Sequence, residues 1–564
     1  MRIAHGWRRY LPACLALGAI AGIADAQTLP SSGELLQQTP RPPAAPPAAT
    51  PGLTIQEPAA NKIDSAVAFL VKQIAISGNS LLPTAELHAL VEPSEGKLLN
   101  FSDLETLAAR ITKSYQDHGY LLSRAYIPAQ TVSDGSVRIE VVEARYGALQ
   151  LFDSSKASQS LLQSYLAPLK PGQPVVEDSL ERSLLLLSDV PGTVVTSTLA
   201  PGAAPGTSDL QVTAAPGAPY SGSVALDDGG NRYTGRARVS GTASVNNPLH
   251  EGDVLSVTGL SAGSGMDYGQ LGYQTLVSNG AGTTLGADVS GLSYHLEHGL
   301  TDLHANGTAA VETVTLMQPF IRSTAGNLFA QFGIDNKQLR DDIDSSDVHT
   351  NRHTDAFAMT LAGDHRDASG IFNMNAGLTV GRLEFDNAAA ELADADSARI
   401  RGGYGKFALS LARLQALDEA DSLYLAFNGQ LANRNLDSSE QFFLGGPNSV
   451  RAYDVGSVGG AMGGLVSVEL RHSLRLPAPG TWQAIAFADS GLVRIYKNQF
   501  TAGENRANLS GVGAGMNWEG AGGWTASVEL AAPIGGRPSL AGDSTSSRIW
   551  LELRKSLAAR PLSR

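Results

Sequence analysis

Few of the side chains able to do chemistry stand where chemistry could use them. His295 and His298, in His295-Leu296-Glu297-His298, offer two imidazoles around a carboxylate, but a metal site needs further ligands in fixed geometry, and a solvated pair at a strand end or loop accounts for them better. The glycines scattered from Gly280 to Gly286 lack the strand-to-helix context of a phosphate loop. The only cysteine, Cys14, lies in a segment expected to be cleaved, so the mature chain has no thiol for a disulfide, a nucleophile or a metal. No catalytic set, metal site or cofactor site emerges, and the chain reads as a non-enzyme. One stretch stands apart: Phe442-Phe443-Leu444-Gly445-Gly446-Pro447-Asn448-Ser449-Val450-Arg451-Ala452-Tyr453.

The elements that must position that stretch follow from length and pattern. At 564 residues the chain exceeds one ordinary domain, so at least two kinds of unit are expected. Arg2, Arg8 and Arg9 flank an apolar run over 11–23, and Ala24-Asp25-Ala26 offers a small-residue cleavage site; residues 1–26 read as a secretory signal peptide. The apolar run follows Cys14, where a lipoprotein needs it to precede, which argues against lipidation. Beyond this leader no stretch approaches the roughly 20 apolar residues of a transmembrane helix, so strands must do any crossing. A net charge of −13 with 17% charged residues lacks the basic stripe of a nucleic-acid binder.

Residues 27–66 join a helix-competent stretch, 31–38, to Pro40, Pro42, Pro43, Pro46 and Pro47. They read as a tether with a small helix at its tip, or as a leader without a role. Residues 67–145 predict the order strand, helix, helix, strand, strand. The first strand, 71–76, is closed by Gly78-Asn79, and a short helix covers 84–90. Ser102 is expected to cap a longer helix with Glu105 reciprocating, Gly119 ends it, and strands over 123–128 and 137–142 follow. Residues 146–219 repeat the order: a strand over 148–152, helices over 159–166 and 177–189 stopped by Pro191-Gly192, and strands over 194–199 and 209–213.

From Tyr220 the helical period disappears, and apolar and polar residues alternate over segments of about ten. Leu423, Leu425, Phe427 and Leu431 oppose Ser422, Tyr424, Asn428 and Gln430. Trp524, Ala526, Val528 and Leu530 oppose Thr525, Ser527 and Glu529. Ile549, Leu551 and Leu553 oppose Trp550, Glu552 and Arg554. A strand in lipid must satisfy its backbone through neighbouring strands, so the sheet has to close. A soluble sandwich alternates too, but roughly 340 residues of it would be unusually large. At roughly 20 residues per strand and connection, about sixteen antiparallel strands are expected.

The stretch from Phe442 to Tyr453 resembles the inward-folded loop of two-partner secretion transporters, the TpsB or haemolysin-activator family, within the superfamily that includes the BamA insertase. The loop tip there usually reads Val-Arg-Gly-Tyr or Val-Arg-Gly-Phe; Val450, Arg451 and Tyr453 match, and Ala452 departs. Alanine lacks the freedom of glycine at positive φ, so a less tight tip is expected. Phe487-Ala488-Asp489-Ser490-Gly491 resembles the family's barrel-wall motif, and period two sets Phe487, Asp489 and Gly491 on one strand face. The resemblance implies that Asp489 faces the lumen and pairs with Arg451. A guanidinium inside a barrel needs a carboxylate, and removing either partner strands a charge. Asp227-Asp228-Gly229-Gly230-Asn231-Arg232-Tyr233-Thr234-Gly235 resembles the turn between the first two barrel strands, and Gln318-Pro319-Phe320-Ile321-Arg322-Ser323 a mid-barrel segment. The two mixed units resemble POTRA domains, whose strand edges and grooves receive extended substrate, and 32–38 resembles the plug helix that can occupy the pore.

The fold so implied is a pair of α+β periplasmic POTRA domains, 67–145 and 146–219, followed by an all-β transmembrane barrel over 220–557. The inward loop lies near 442–460, and 558–564 form a C-terminal extension. Such barrels commonly end on an aromatic residue and this one does not, so whether the barrel assembly machinery reads its last strand internally stays open. The implied function is type Vb, two-partner secretion. The POTRA domains recognise an unfolded TpsA-like partner, a β-helical adhesin or haemolysin, and a monomeric barrel set in outer-membrane lipid exports it. An outer-membrane insertase is the nearer alternative, against which two POTRA-like units argue because insertases generally carry more. A diffusion porin would have neither those units nor an inward arginine loop.

Overall fold

The alternating segments pair into a closed barrel of sixteen antiparallel strands, running from Tyr220–Asp227 to Arg548–Ala558, with the last strand hydrogen-bonded to the first. This computed structural model describes residues 29–40, 52–56, 67–132, 134–277, 280–536, 539–541 and 547–558; the expected signal peptide and nearly all of the C-terminal extension lie outside them. Leu425, Phe427, Leu431, Trp524, Val528, Leu530, Ile549, Leu551 and Leu553 are all exposed on the outside of the barrel, where they would meet lipid, whereas Gln430 and Trp550 of the same strands are buried within. Closure leaves no sheet edge in the bilayer, the condition for a strand-built span. Among the described residues no helix is long and apolar enough to cross a membrane.

Two α+β units precede the barrel, each with the strand order read from the sequence. In the first, the parallel pair Gln73–Ser77 and Ser136–Val142 is joined by the antiparallel Arg124–Tyr126. The helix Phe101–Asp117 lays Leu104, Leu107, Ala108, Ile111 and Tyr115 on that sheet. It begins two residues earlier than expected: Asn100, not Ser102, is the cap. The Asn100 side chain accepts the Asp103 N–H at 2.9 Å, and Asp103 accepts the Asn100 N–H at 2.9 Å. An asparagine whose partner stands three residues on satisfies two orphan donors at once, so it takes the helix start from the serine.

In the second unit Arg145–Asp153, Thr207–Pro216 and Thr193–Pro201 form the sheet. The helices Gln159–Leu166 and Glu177–Ser188 supply Leu161, Leu162, Leu180, Leu184 and Leu187 to its core. An unpredicted strand, Gly52–Ile55 of the linker, lies on the free edge of Thr193–Pro201.

The second unit is fastened to one end of the barrel. Arg322, almost fully buried, reaches both carboxylate oxygens of Asp189 at 2.8 and 2.7 Å. Arg182 donates to the carbonyls of Pro319 and Phe320 at 3.1 Å each, and Glu181 accepts the Thr324 N–H at 3.0 Å. The segment 318–323 is therefore the end of the sixth strand, Ala305–Arg322, and the dock for the preceding unit. It is not a mid-barrel element. Gly252 and Gly280, in two further turns of the same end, approach Leu161 and Ser164.

Candidate functional site

Among the described residues, two pieces of chain fill the lumen. The first is the connection between the eleventh strand, Asp421–Ala432, and the twelfth, Met462–Leu474, which folds inward as a small hairpin of Phe442–Leu444 against Val458–Gly460. Its tip, 450–453, lies against the wall made by strands twelve to sixteen. Val450, Ala452 and Tyr453 are buried with Leu444, Phe487 and Leu509 in one apolar cluster.

Arg451, 6% exposed, forms the polar centre of that contact. Its Nε and Nη2 donate to the two oxygens of Asp489 at 2.9 and 3.0 Å, and its backbone N–H reaches the same carboxylate at 3.2 Å. Its Nη1 donates to Glu469 at 2.8 Å and lies 3.6 Å from Glu529. The guanidinium stacks 3.3 Å above the Phe487 ring centroid, and the Arg451 carbonyl accepts the Trp550 indole N–H at 2.7 Å. Two parallel bonds to one carboxylate fix the plane of the guanidinium as well as its place, which a lysine could not do.

Register explains how four strands converge on one side chain. Asp489 and Phe487 sit two apart on Thr481–Arg494, so they share the inner face. Glu469 is the cross-strand partner of Phe487 on the twelfth strand, and Trp550 that of Glu529 between the fifteenth and sixteenth. On the intervening strand, Arg506–Gly520, glycines replace bulk: the Phe487 ring lies over Gly513 and the Ala452 methyl over Gly511. Gly491 similarly leaves room for Leu444.

The expected looseness at Ala452 is not found. Ala452 is absent from the non-glycine residues with positive φ, so the position asks nothing of glycine's freedom, and space for the methyl comes from Gly511 on the wall. The residue is 1% exposed.

A second anchor follows the tip. Asp454, nearly buried, meets Arg548 at 2.5 Å, Arg236 at 2.8 Å and Arg232 at 3.9 Å. This draws the turn after the first strand, which carries both Arg232 and Arg236, onto the loop. At the loop's near end Glu440 pairs with Lys337 at 2.5 Å and Lys406 at 2.8 Å. Ion pairs at Arg451, Asp454 and Glu440 thus pin the loop to the wall.

The other lumen element is the helix Ser32–Gln37, the expected plug. Ser32 gives its backbone N–H and hydroxyl to the Asp341 carboxylate at 2.7 and 3.0 Å, and the Gln37 amide donates to the Ser438 carbonyl at 2.8 Å. Gly33 lies so close to the inward loop that a methyl there would come within 2.6 Å of Ser438 Oγ. On the opposite side Leu35 is fully buried among Leu260, Met266, Tyr268, Leu292 and Tyr294 of the wall. Asp341 also pairs with Arg352 at 2.7 Å, and Arg352 holds Asp437 of the loop at 2.6 Å. The helix therefore bridges the wall and the loop, toward the end of the barrel remote from the docked unit.

Residues 206–518, more than half of the chain, match the family model described as haemolysin secretion/activation protein ShlB/FhaC/HecB. The chain belongs to this family. Residues 69–144 match a second model, the POTRA domain of ShlB type. The haemolysin secretion/activation family comprises outer-membrane transporters of two-partner secretion, and the chain is one of them, with a barrel in the outer membrane and POTRA-type structure on its periplasmic side. Among its relatives is the heme/hemopexin transporter protein HuxB of Haemophilus influenzae strain 86-028NP, 25% identical over 491 residues, 86% of each chain. The outer membrane transporter CdiB of Escherichia coli O6:K15:H31 (strain 536 / UPEC) is 25% identical over 483 residues, 82% of this chain and 79% of that one. Of solved structures, CdiB from Escherichia coli superposes with a TM-score of 0.67 at 23% identity, covering 89% of this chain and 93% of that one. BamA from Haemophilus ducreyi lacking POTRA domains 1–3 gives 0.52 at 12% identity over 87% and 100%. Both of these show the fold.

Proposed function

We propose that the chain receives an unfolded partner protein through its two periplasmic units, 67–145 and 146–219, the latter acting as a second POTRA domain. It then passes the partner outward through its own barrel. Val450, Arg451 and Tyr453 form the clamp that holds the inward loop against the wall motif of Phe487, Asp489 and Gly491, and the helix Ser32–Gln37 closes the lumen at rest. The single observation that carries this reading is the shared Arg451, bound in plane by Asp489 and braced by Glu469. Such a bond set ties a loop inside a pore to a wall without a covalent link.

The partner is of TpsA type, a β-helical adhesin or haemolysin, in keeping with the relatives named heme/hemopexin transporter and hemolysin transporter. Its folding outside the cell supplies the drive, since the periplasm offers no ATP. The transporter works as a monomer and reaches its membrane through the barrel assembly machinery. Replacing Arg451 by Ala leaves Asp489 buried without its cation and Glu469 with Arg471 alone. Secretion of the partner should fall by at least tenfold, while the heat-modifiable mobility of the barrel on gels stays as in the wild type. Unchanged secretion would remove the loop from the mechanism.

A further inference from the structure

Tryptophan is gathered on one arc of the barrel. Of the five in the chain, Trp7 lies in the expected leader and Trp550 beneath the loop tip. Trp482, Trp518 and Trp524 stand at or near one end of three successive strands, Thr481–Arg494, Arg506–Gly520 and Trp524–Pro533. That end is the periplasmic one, where Tyr220 enters from the second unit. Phe487 and Asp489 point into the lumen, so alternation turns Trp482 outward, and with it its register partner Trp518. The two ring centroids are 6.0 Å apart, and both indole N–H groups donate to the Pro479 carbonyl, at 3.3 and 3.0 Å. The shared acceptor fixes both rings beside the turn.

Register carries one row of outward side chains from these rings to the seam: Trp482, Trp518, Ala526, Leu553 and Leu226, on five neighbouring strands that include the last and the first. Ala526 is the low point of the row, between an indole and a leucine. With Met516, Val528 and Leu551 of the next row it forms an apolar groove of about 540 Å³ on the outer face. Asp228 closes one end, its carboxylate taken by the Leu551 N–H at 2.8 Å, and Glu552 turns inward to Arg554 at 3.0 Å. One row nearer the periplasm, Lys555 stands opposite Trp524. Its ammonium lies 5.0 Å from the Trp524 ring centroid and donates to the Gly522 carbonyl at 2.6 Å. That bond uses one of three N–H groups, and Lys555 forms no ion pair among the described residues.

Indoles settle at headgroup level, which puts Lys555 at the depth of lipid phosphates and the groove at the depth of acyl chains. We infer that the recess seats one anionic phospholipid of the periplasmic leaflet, its phosphate on Lys555 beside Trp524 and one acyl chain along the groove over Ala526. The phosphate supplies charged acceptors for the remaining ammonium N–H groups, and a flexible chain fills a recess that the fixed side chains leave open. A zwitterionic headgroup carries its own ammonium, so the lysine favours a net negative one, by about fivefold for a single cation. Because the row crosses the seam, the seated chain lies on Leu226 and Leu553 together and covers the join between the first and last strands.

The test uses the full-length protein in detergent micelles, titrated with phosphatidylglycerol or phosphatidylethanolamine brominated on the acyl chains. Bromine quenches the indoles it reaches; Trp482, Trp518 and Trp524 face the site, while Trp550 is buried inside the barrel. Wild-type fluorescence should fall along a curve that saturates at one phosphatidylglycerol per barrel. Lys555→Gln should weaken phosphatidylglycerol about fivefold and leave phosphatidylethanolamine unchanged. Ala526→Phe fills the groove and should abolish the saturable quenching, whereas Val380→Phe, on an outward position of the ninth strand, should not. Excess inorganic phosphate should not compete, since it lacks the chain. Heat-modifiable mobility on gels shows that each variant is folded, and Lys555→Gln, a change near a strand end, keeps the test decisive should Ala526→Phe not fold. Quenching that grows without saturation, equal phosphatidylglycerol affinity in the wild type and Lys555→Gln, or displacement by inorganic phosphate would overturn the inference.

Discussion

Replacing Gly511 by Ala should expel the loop tip, and the structure says by how much. A methyl at Gly511 would collide with the Ala452 methyl, while its next neighbours, the Ala532 carbonyl oxygen at 3.3 Å and the Ala452 nitrogen at 3.5 Å, could give way by a few tenths of an ångström. Overpacking of this kind costs about 1–3 kcal/mol. Gly511 is held in a strand between two others and the tip is not, so the tip moves. At about 1.4 kcal/mol per tenfold, the undocked population of the loop should rise about 5- to 150-fold. Ala452→Gly removes the opposing methyl, so adding it to Gly511→Ala should return the loop close to wild-type docking. The non-additivity of that cycle isolates the contact. The assay is hydrogen exchange of the loop amides over 433–461 in the full-length protein, with partner secretion as a second readout. Wild-type exchange in Gly511→Ala, or a double variant as mobile as the single one, would refute the close-packing argument.

Other perturbations follow from the same geometry. Arg322→Ala strips Asp189 of both its bonds at the dock, so spin-label distances between the second unit and the barrel should broaden; Arg322→Lys should not restore them, because it lacks the fork. Asp341→Asn weakens the anion that accepts the Ser32 N–H and hydroxyl, a loss of about 1–3 kcal/mol, and should raise the open fraction of the pore in bilayer recordings. Burial would push the Glu143 carboxyl up, but the hydroxyl and N–H of Ser80, the Leu81 N–H and the Tyr115 hydroxyl together hold it below the usual carboxylate range. A depressed folded value means that its stabilisation is complete above the unfolded value, about 4.3, and is lost as pH falls through the folded one. Amide protection of the first unit should therefore decline on acidification below about pH 4.3, and Glu143→Gln should flatten that decline while lowering protection at pH 7.

What could be read in the chain beforehand divides along a physical line. Alternation fixes which side of a strand a residue faces, so Leu425 and Ile549 outside, and Gln430, Glu529 and Trp550 inside, were all legible. Register between strands is not written locally, and so the convergence of Glu469, Glu529 and Trp550 on Arg451 was not. The glycines at 511, 513 and 515 were a visible sign of a wall thinned for something to lie against it, though nothing in the sequence says what. The helix start was missed by two residues because Ser102 with Glu105 and Asn100 with Asp103 offer the same spacing, and the box that forms is the one at Asn100. Gly52–Ile55 carries no period and stands near prolines; its structure comes entirely from the edge it lies on. Arg322 was assigned to the middle of the barrel because sequence marks a strand without marking its ends.

The plug helix lies toward the outer mouth, inside a ring made of the chain's own later residues, while Gly52–Ile55 lies on the periplasmic side. Globular chains avoid threaded arrangements of this sort, and here it constrains biogenesis. Either the seam between Tyr220–Asp227 and Arg548–Ala558 shuts around a leader already in place, or the leader enters a finished pore afterward. The second route limits whatever precedes Gly52 to what can slip through end-on, a single helix about 10 Å across or an extended chain. A folded tag fused to the mature amino terminus would thus distinguish the two orders of assembly by whether the barrel still acquires its plug.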